Sequence, residues 1–143
     1  MKKRASRCGT YLLLLESAKA TELTVGRLGP MQAVPGYYLY VGSAYGPGGV
    51  NARISHHRKA SLRPHWHIDY LRTVAGLVDT WCVFDRRCEH EWAQLLMQDQ
   101  DMVMPVKKFG ASDCGCFTHL FYRKDRPAKA ALEKLLNSTL ATV

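Results

Sequence analysis

Apolar residues arrive along this chain in short bursts, and the spacing within each burst separates strands from helices. Residues 10–16 contain four leucines in a row, Leu12 to Leu15, before Glu16 ends the run. A run this short, apolar on both faces, predicts a strand buried in the middle of a sheet. Residues 22–28 alternate loosely through Leu23 and Val25 and predict a second strand. Residues 29–36 hold two glycines and two prolines and read as a loop. Residues 37–42, aromatic and β-branched, predict the next strand, set antiparallel beside residues 10–16. Two more strands are expected at 77–84, apolar on both faces apart from Asp79 and Thr80, and at 117–122, short and aromatic-rich.

The helical bursts lie between them. Residues 50–60 place Val50 and Ile54 on one face and Arg53 and His57 on another, each pair four residues apart. Pro64 suits a first helical position, which predicts a second helix over 65–75 with Ile68, Leu71 and Ala75 inward. A third over 86–98, capped by Asp85, carries the stripe Cys88, Trp92, Leu95 and Leu96. Pro127 opens a last helix that packs through Ala131, Leu132, Leu135 and Leu136. Residues 102–110 read as irregular. No repeat, low-complexity tract or linker interrupts the chain, so a single α/β (α+β) domain over residues 1–143 is expected.

Composition narrows the function classes. A hydrophobic fraction of 47% and a charged fraction of 22% are ordinary for a globular protein, and no apolar run approaches the ~20 residues of a membrane helix. Lys2-Lys3-Arg4 is a basic start, but no small-residue cleavage site follows the leucines, so neither secretion nor membrane insertion is expected. Five cysteines without a disulfide-framework spacing point to reduced thiols in a cytoplasmic compartment. The net charge of +8 favours a polyanionic partner through counterion release.

The chemistry concentrates at residues 36–53. There a strand ends in Gly42, Ser43 and Ala44, a loop follows through Gly46-Pro47-Gly48-Gly49, and a helix then presents Arg53. Small residues leave the backbone open to a ligand, with Tyr40 and Arg53 on either side. Gly9-Thr10-Tyr11 and Tyr40-Val41-Gly42 resemble the two signature tripeptides of the GIY-YIG nuclease superfamily, and Ser43-Ala44 follows the second as it often does there. The chain is most similar to an uncharacterised branch with the segments H-W-H-I-D-Y-L and S-D-C-x-C-x-x-H-L, here residues 65–71 and 112–120.

That resemblance implies a small, mostly antiparallel sheet flanked by helices. It also implies hydrolysis of nucleic-acid phosphodiesters, DNA foremost and in a repair or recombination setting, with one Mg²⁺ or Mn²⁺. Tyr11 and Tyr40 would flank the nucleophilic water, Arg53 would stabilise the charge growing on phosphate, and His57 would shuttle a proton or orient a tyrosine. Glu89 would hold the metal, with Glu91, on the other flank of the helix stripe, as the alternative. A fixed guanidinium and a hard cation suit a phosphate that gains negative charge. A tyrosine, with a pKa of about 10, needs a nearby cation to serve as a base.

Further residues are candidates for holding substrate: Gly42 and Ser43 at the strand end, His65, His67 and Asp69 in the second helix, and Lys107 and Lys108 among the basic clusters. Asp69 is expected to orient His65 by a hydrogen bond, and Trp66 to stack on a base or pack in the core. Cys114-Gly115-Cys116 with His119 invites a zinc reading, but the spacing is not the usual one. On a regular strand both cysteines would face one way and His119 the other, so packing is the expected role, with Ser112 and Asp113 making the turn. The other readings of the whole chain are a nucleic-acid-binding domain that keeps the scaffold without turnover, and a zinc-stabilised interaction domain using residues 114–119.

Overall fold

The four leucines at 12–15 bury both faces of their strand completely, and this organises the structure. The computed structural model describes residues 7–59, 63–112 and 114–143. Its strands are β1 (Gly9–Ser17), β2 (Thr21–Val25), β3 (Gly29–Ala33), β4 (Gly36–Ala44), β5 (Gly76–Phe84), β6 (Leu120–Arg123) and β7 (Ala141–Thr142). Its helices are α1 (Gly49–Arg58), α2 (His67–Leu71), α3 (Glu89–Gln98) and α4 (Lys129–Leu136). An antiparallel five-stranded sheet of order β6-β4-β1-β5-β7 puts β1 in the centre, and β2 and β3 form a separate two-stranded ribbon.

Side chains alternate across β1. Tyr11, Leu13 and Leu15 join Tyr38 and Tyr40 on one face, covered by Val50 and Ile54 of α1, Ile68 and Leu71 of α2, and the β2–β3 ribbon. Leu12 and Leu14 join Leu39, Val41, Trp81 and Val83 on the other, against Trp92, Ala93 and Leu96 of α3 and Leu132 and Leu136 of α4. Each buried leucine is worth roughly 1.5–3 kcal/mol, so the central strand is the most firmly held. The α+β class and the pairing of residues 10–16 with 37–42 agree with the sequence. Thr10 lies opposite Ser43, Tyr11 opposite Gly42 and Leu13 opposite Tyr40.

Several boundaries differ. The expected loop at 29–36 contains β3, with Pro30 paired to Thr24; a two-stranded ribbon is all edge, where a missing N–H is tolerated. Residues 65–75 hold only the five-residue α2, with Pro64 outside it, and turns carry the chain on through Thr73 and Val74, both weak helix formers. Asp85 does not cap α3: its backbone is left-handed (φ 62°) and its carboxylate pairs with Arg7 at 2.7 Å. The helix starts at Glu89, and the Cys88 N–H donates instead to Thr10 Oγ1 across the fold at 3.0 Å. Residues 117–119 precede β6 rather than belonging to it, α4 begins at Lys129, and Ala131 faces solvent. β7, two residues long, gave no periodic signal. The basic start at Lys2-Lys3-Arg4, the helix end at Ala60, the loop at Ser61 and the turn at Asp113 lie outside the described residues. Among the described residues no helix is long and apolar enough to cross a membrane.

Candidate active site

The sheet face that carries Tyr11 and Tyr40 is built by close approach. A Cβ on Gly42 would lie 2.2 Å from Tyr11 Cζ and 2.4 Å from its hydroxyl, so the glycine of Tyr40-Val41-Gly42 makes the floor on which the Tyr11 ring lies. A Cβ on Gly110, which has a left-handed φ of 67°, would lie 2.8 Å from Tyr40 Cε1, and Phe109 meets the Tyr40 ring edge-on. The two tyrosine rings are 6.4 Å apart.

Helix α1 brings the next two groups. Val50 and Ile54 sit in the core and fix the rotation of the helix, and Val50 N–H donates to Arg7 O at 2.9 Å. His57 is thereby turned inward, 1% exposed, with Nε2 2.7 Å from the Tyr11 hydroxyl. Among the described residues, its buried Nδ1 has no hydrogen-bond partner. Arg53 lies over the Trp66 ring at 4.3 Å, and no ion pair ties it to a carboxylate among the described residues.

The protonation states follow from burial. Burial pushes Tyr11 and Tyr40 well above the ordinary tyrosine range; the Arg53 cation opposes it and loses. Burial pushes His57 down to about 4, helped by the neighbouring His56 and Arg53, so the ring is neutral at pH 7. Asp69, 3% exposed, goes the other way from burial alone. Desolvation would raise it, but the His65 and Trp66 N–H groups on Oδ2 and His56 on Oδ1, each at 2.9 Å, hold it below its usual value.

The expected role of Asp69 therefore changes. It binds the backbone N–H of His65, not its ring, and its side-chain partner is His56. It begins α2 from the third helical position, a carboxylate satisfying N–H groups ahead of the helix. With its oxygens so occupied, it is a poor metal ligand. His65 is exposed and His67 half-buried; with Tyr40, Trp66, Gly110 and Ser112 they line a cleft of about 220 Å³. His67 Nδ1 accepts the Gly110 N–H at 2.8 Å, which fastens α2 to the loop under Tyr40. Trp66 backs Arg53 and meets the His56 ring edge-on at 4.8 Å.

Glu89 and Glu91 part company here. Glu89, the first residue of α3, sits beside the site because Thr10 holds the preceding N–H, and its charge raises the pKa of both Tyr11 and Tyr40. The charge of Glu91 acts on Cys88 and on neither tyrosine. One partly exposed carboxylate whose charge reaches both tyrosines fits Mg²⁺ or Mn²⁺, which keep several waters. Ser43 lies half-buried at the end of β4, opposite Thr10. Lys108 is turned into its own loop, donating to Cys114 O at 2.9 Å, and Lys107 is exposed with its ammonium 5.9 Å from the Phe117 ring centre. Neither lysine lines the cleft under Tyr40. Nor do Cys114, Cys116 and His119 form a strand: the loop brings Cys114 Sγ to 3.6 Å from His119 Nε2, not to the opposite side.

Residues 10–141 match the domain of unknown function DUF123. The chain belongs to that family. No curated protein and no solved structure matches it. In this DUF123 domain the match begins at Thr10 and takes in the tyrosine pair, α1, α2, the first turn of α3 and the loop carrying Cys114 and Cys116. Two of its contributors escaped the sequence reading. Thr10 couples β1 to α3, and His56 hydrogen-bonds Asp69 Oδ1; both act through partners far along the chain, which no local spacing reveals.

Proposed function

We propose that this DUF123 chain is a divalent-metal-dependent endonuclease acting on nucleic acid, with DNA as the first substrate to try. The observation that carries the reading is the Tyr11–His57 hydrogen bond in a site where Arg53 has no described carboxylate partner. A cation left without an internal anion, backed by a flat indole, is ready to meet an external one. The net charge of +8 favours a polyanion as its source.

Within this reading Tyr11 is a relay. Its hydroxyl stays protonated because burial keeps its pKa high, so it cannot be a standing base. As water attacks phosphorus, the water proton passes to the Tyr11 oxygen while the Tyr11 proton passes to His57 Nε2, and the tyrosine ends neutral; the P–O bond opposite the water breaks, and the departing sugar oxygen takes a proton from solvent. His57 is unprotonated at pH 7 and so has room for that proton. A base with a pKa near 4 is weak alone, but a phosphodiester entering the site brings negative charge that favours the imidazolium. Arg53 binds the non-bridging phosphate oxygens, and its guanidinium gains most when those oxygens gain charge. Glu89 would hold Mg²⁺ or Mn²⁺, and that ion supplies Lewis-acid neutralisation of the growing charge. Tyr40, His65 and His67 line the cleft where a nucleotide would lie. Five free cysteines among the described residues support a cytoplasmic setting.

The test is a panel of labelled single-stranded, flapped, branched and duplex DNAs, with RNA alongside, incubated with Mg²⁺ or Mn²⁺. Wild type is expected to cut at least one of them, Glu91→Gln to cut equally and Glu89→Gln to be inactive. Tight, salt-sensitive binding without cutting of any substrate would replace this reading with a non-catalytic nucleic-acid-binding domain.

A further inference from the structure

We propose that His90, Cys114, Cys116 and His119 form a tetrahedral zinc site, separate from the proposed catalytic metal at Glu89 and independent of the nuclease reading. One ligand atom from each of the four residues lies within 4.8 Å of all the others. They come from two elements: His90 from the first turn of α3, the rest from the loop that leads into β6.

The geometry is close to that of a loaded site. Tetrahedral bonds of about 2.3 Å to sulfur and about 2.05 Å to nitrogen place neighbouring S and N ligands about 3.6 Å apart. Cys114 Sγ and His119 Nε2 are 3.6 Å apart. The rings of His90 and His119 are tilted with centroids 6.1 Å apart, a separation at which one nitrogen of each can turn towards a shared centre. Two sulfurs and two imidazoles form a soft donor set that selects zinc over magnesium, and four protein ligands leave no open position for substrate. The site is structural.

Its surroundings are built to hold it. The loop hangs from the sheet through Val41 N–H to His119 O at 3.0 Å and His119 N–H to Phe109 O at 2.8 Å. Lys108 Nζ grips Cys114 O, and Lys108 N–H donates to Phe117 O at 2.6 Å. Glu89 Oε1 lies 3.8 Å from His90 Nε2, so the proposed zinc ligand and the proposed catalytic carboxylate are neighbours at the start of α3. Zinc at this position would clamp the first turn of α3 onto the loop that carries Gly110 under Tyr40. It would thus fix both Glu89 and the cleft. In sequence the loop residues invite a zinc reading, but the fourth ligand, His90, lies upstream on another element, which no spacing within the loop reveals.

The experiment measures metal, not cleavage. The full chain is purified with zinc in the medium, its zinc content is measured, and the chelated protein is titrated with Co²⁺ as a spectroscopic probe. The expected result is one zinc per chain and a cobalt spectrum with thiolate charge transfer and tetrahedral d–d bands. Cys114→Ser and Cys116→Ser should each lose the sulfur signature and most of the metal. His90→Ala removes an exposed ring and is expected to stay folded while binding zinc at least tenfold more weakly; Cys8→Ser should bind as wild type does. Chain that stays metal-free in micromolar Zn²⁺, or metal content unchanged in both loop-cysteine variants, would overturn the proposal. Either outcome is independent of whether any nucleic acid is cut.

Discussion

Replacing Gly42 by alanine tests whether the Tyr11 ring is held where the site needs it. Gly42 lies in regular β4 directly opposite Tyr11, and its φ is not in the left-handed region, so the backbone itself accepts alanine. The obstacle is the ring: the new methyl carbon would meet Tyr11 Cζ at 2.2 Å, the hydroxyl at 2.4 Å and Cε2 at 2.6 Å. Tyr11 is 2% exposed and cannot swing into solvent. It must tilt away by more than about 1 Å, and overpacking of this kind costs about 1–3 kcal/mol. If the tilt also breaks the bond to His57, both ring nitrogens of a buried histidine are left without partners, adding roughly 1–3 kcal/mol. The expected total is about 2–6 kcal/mol, read as a lower urea midpoint at constant slope. The control is the same change in a Tyr11→Ala background. With the ring gone the added methyl should be close to neutral, so the cycle should show a coupling of about 2 kcal/mol or more. An equal cost of Gly42→Ala in both backgrounds would refute the stacking argument.

Other predictions concern the polar shell. Asp69→Ala strands the N–H groups of His65 and Trp66 and unpairs His56, so it should lower stability by about 2–4 kcal/mol in urea unfolding; Asp69→Asn, which keeps an acceptor, should cost less. His57 has its pKa lowered by folding, to about 4. The unfolded chain therefore binds the extra proton between about pH 6.5 and 4, and this contribution to stability is full above 6.5 and lost as pH falls through that window. In zinc-free protein, His57→Gln should flatten the loss by up to about 3 kcal/mol between pH 7 and 4. An NMR titration that finds His57 protonating near 6.5 would contradict the burial argument.

How much could be read in advance varied with range. The leucine run of β1, the aromatic strand of β4 and the Val50–Ile54 face of α1 are local patterns, and the sheet pairing of Tyr11 with the segment around Gly42 followed from them. The resemblance at Tyr11, Tyr40, Arg53 and His57 named side chains that the fold does bring together. What stayed hidden depended on partners remote in sequence. Pro30 argued for a loop, yet a two-stranded ribbon tolerates it. Asp85 looked like a cap but paired with Arg7, while Thr10, far upstream, took the Cys88 N–H. Asp69 was matched with His65 by spacing, but the aromatic packing of Trp66 brought His56 to it instead. The aromatic run at 117–122 reads as a strand, yet residues 117–119 lie in the loop before β6. They fold as a loop because their hydrogen bonds go to Phe109, Lys108 and Val41 rather than to a continuous ladder.

The central claim is that Arg53 meets a reacting phosphate. Single-turnover cleavage and equilibrium binding of the best substrate should be measured for wild type and Arg53→Ala at matched stability. A donor aimed at developing charge is worth about 10²–10³ in rate. The account predicts a fall of that size in the cleavage step with binding weakened far less. Wild type that cuts nothing with either metal, or Arg53→Ala that cuts as fast as wild type, would contradict it.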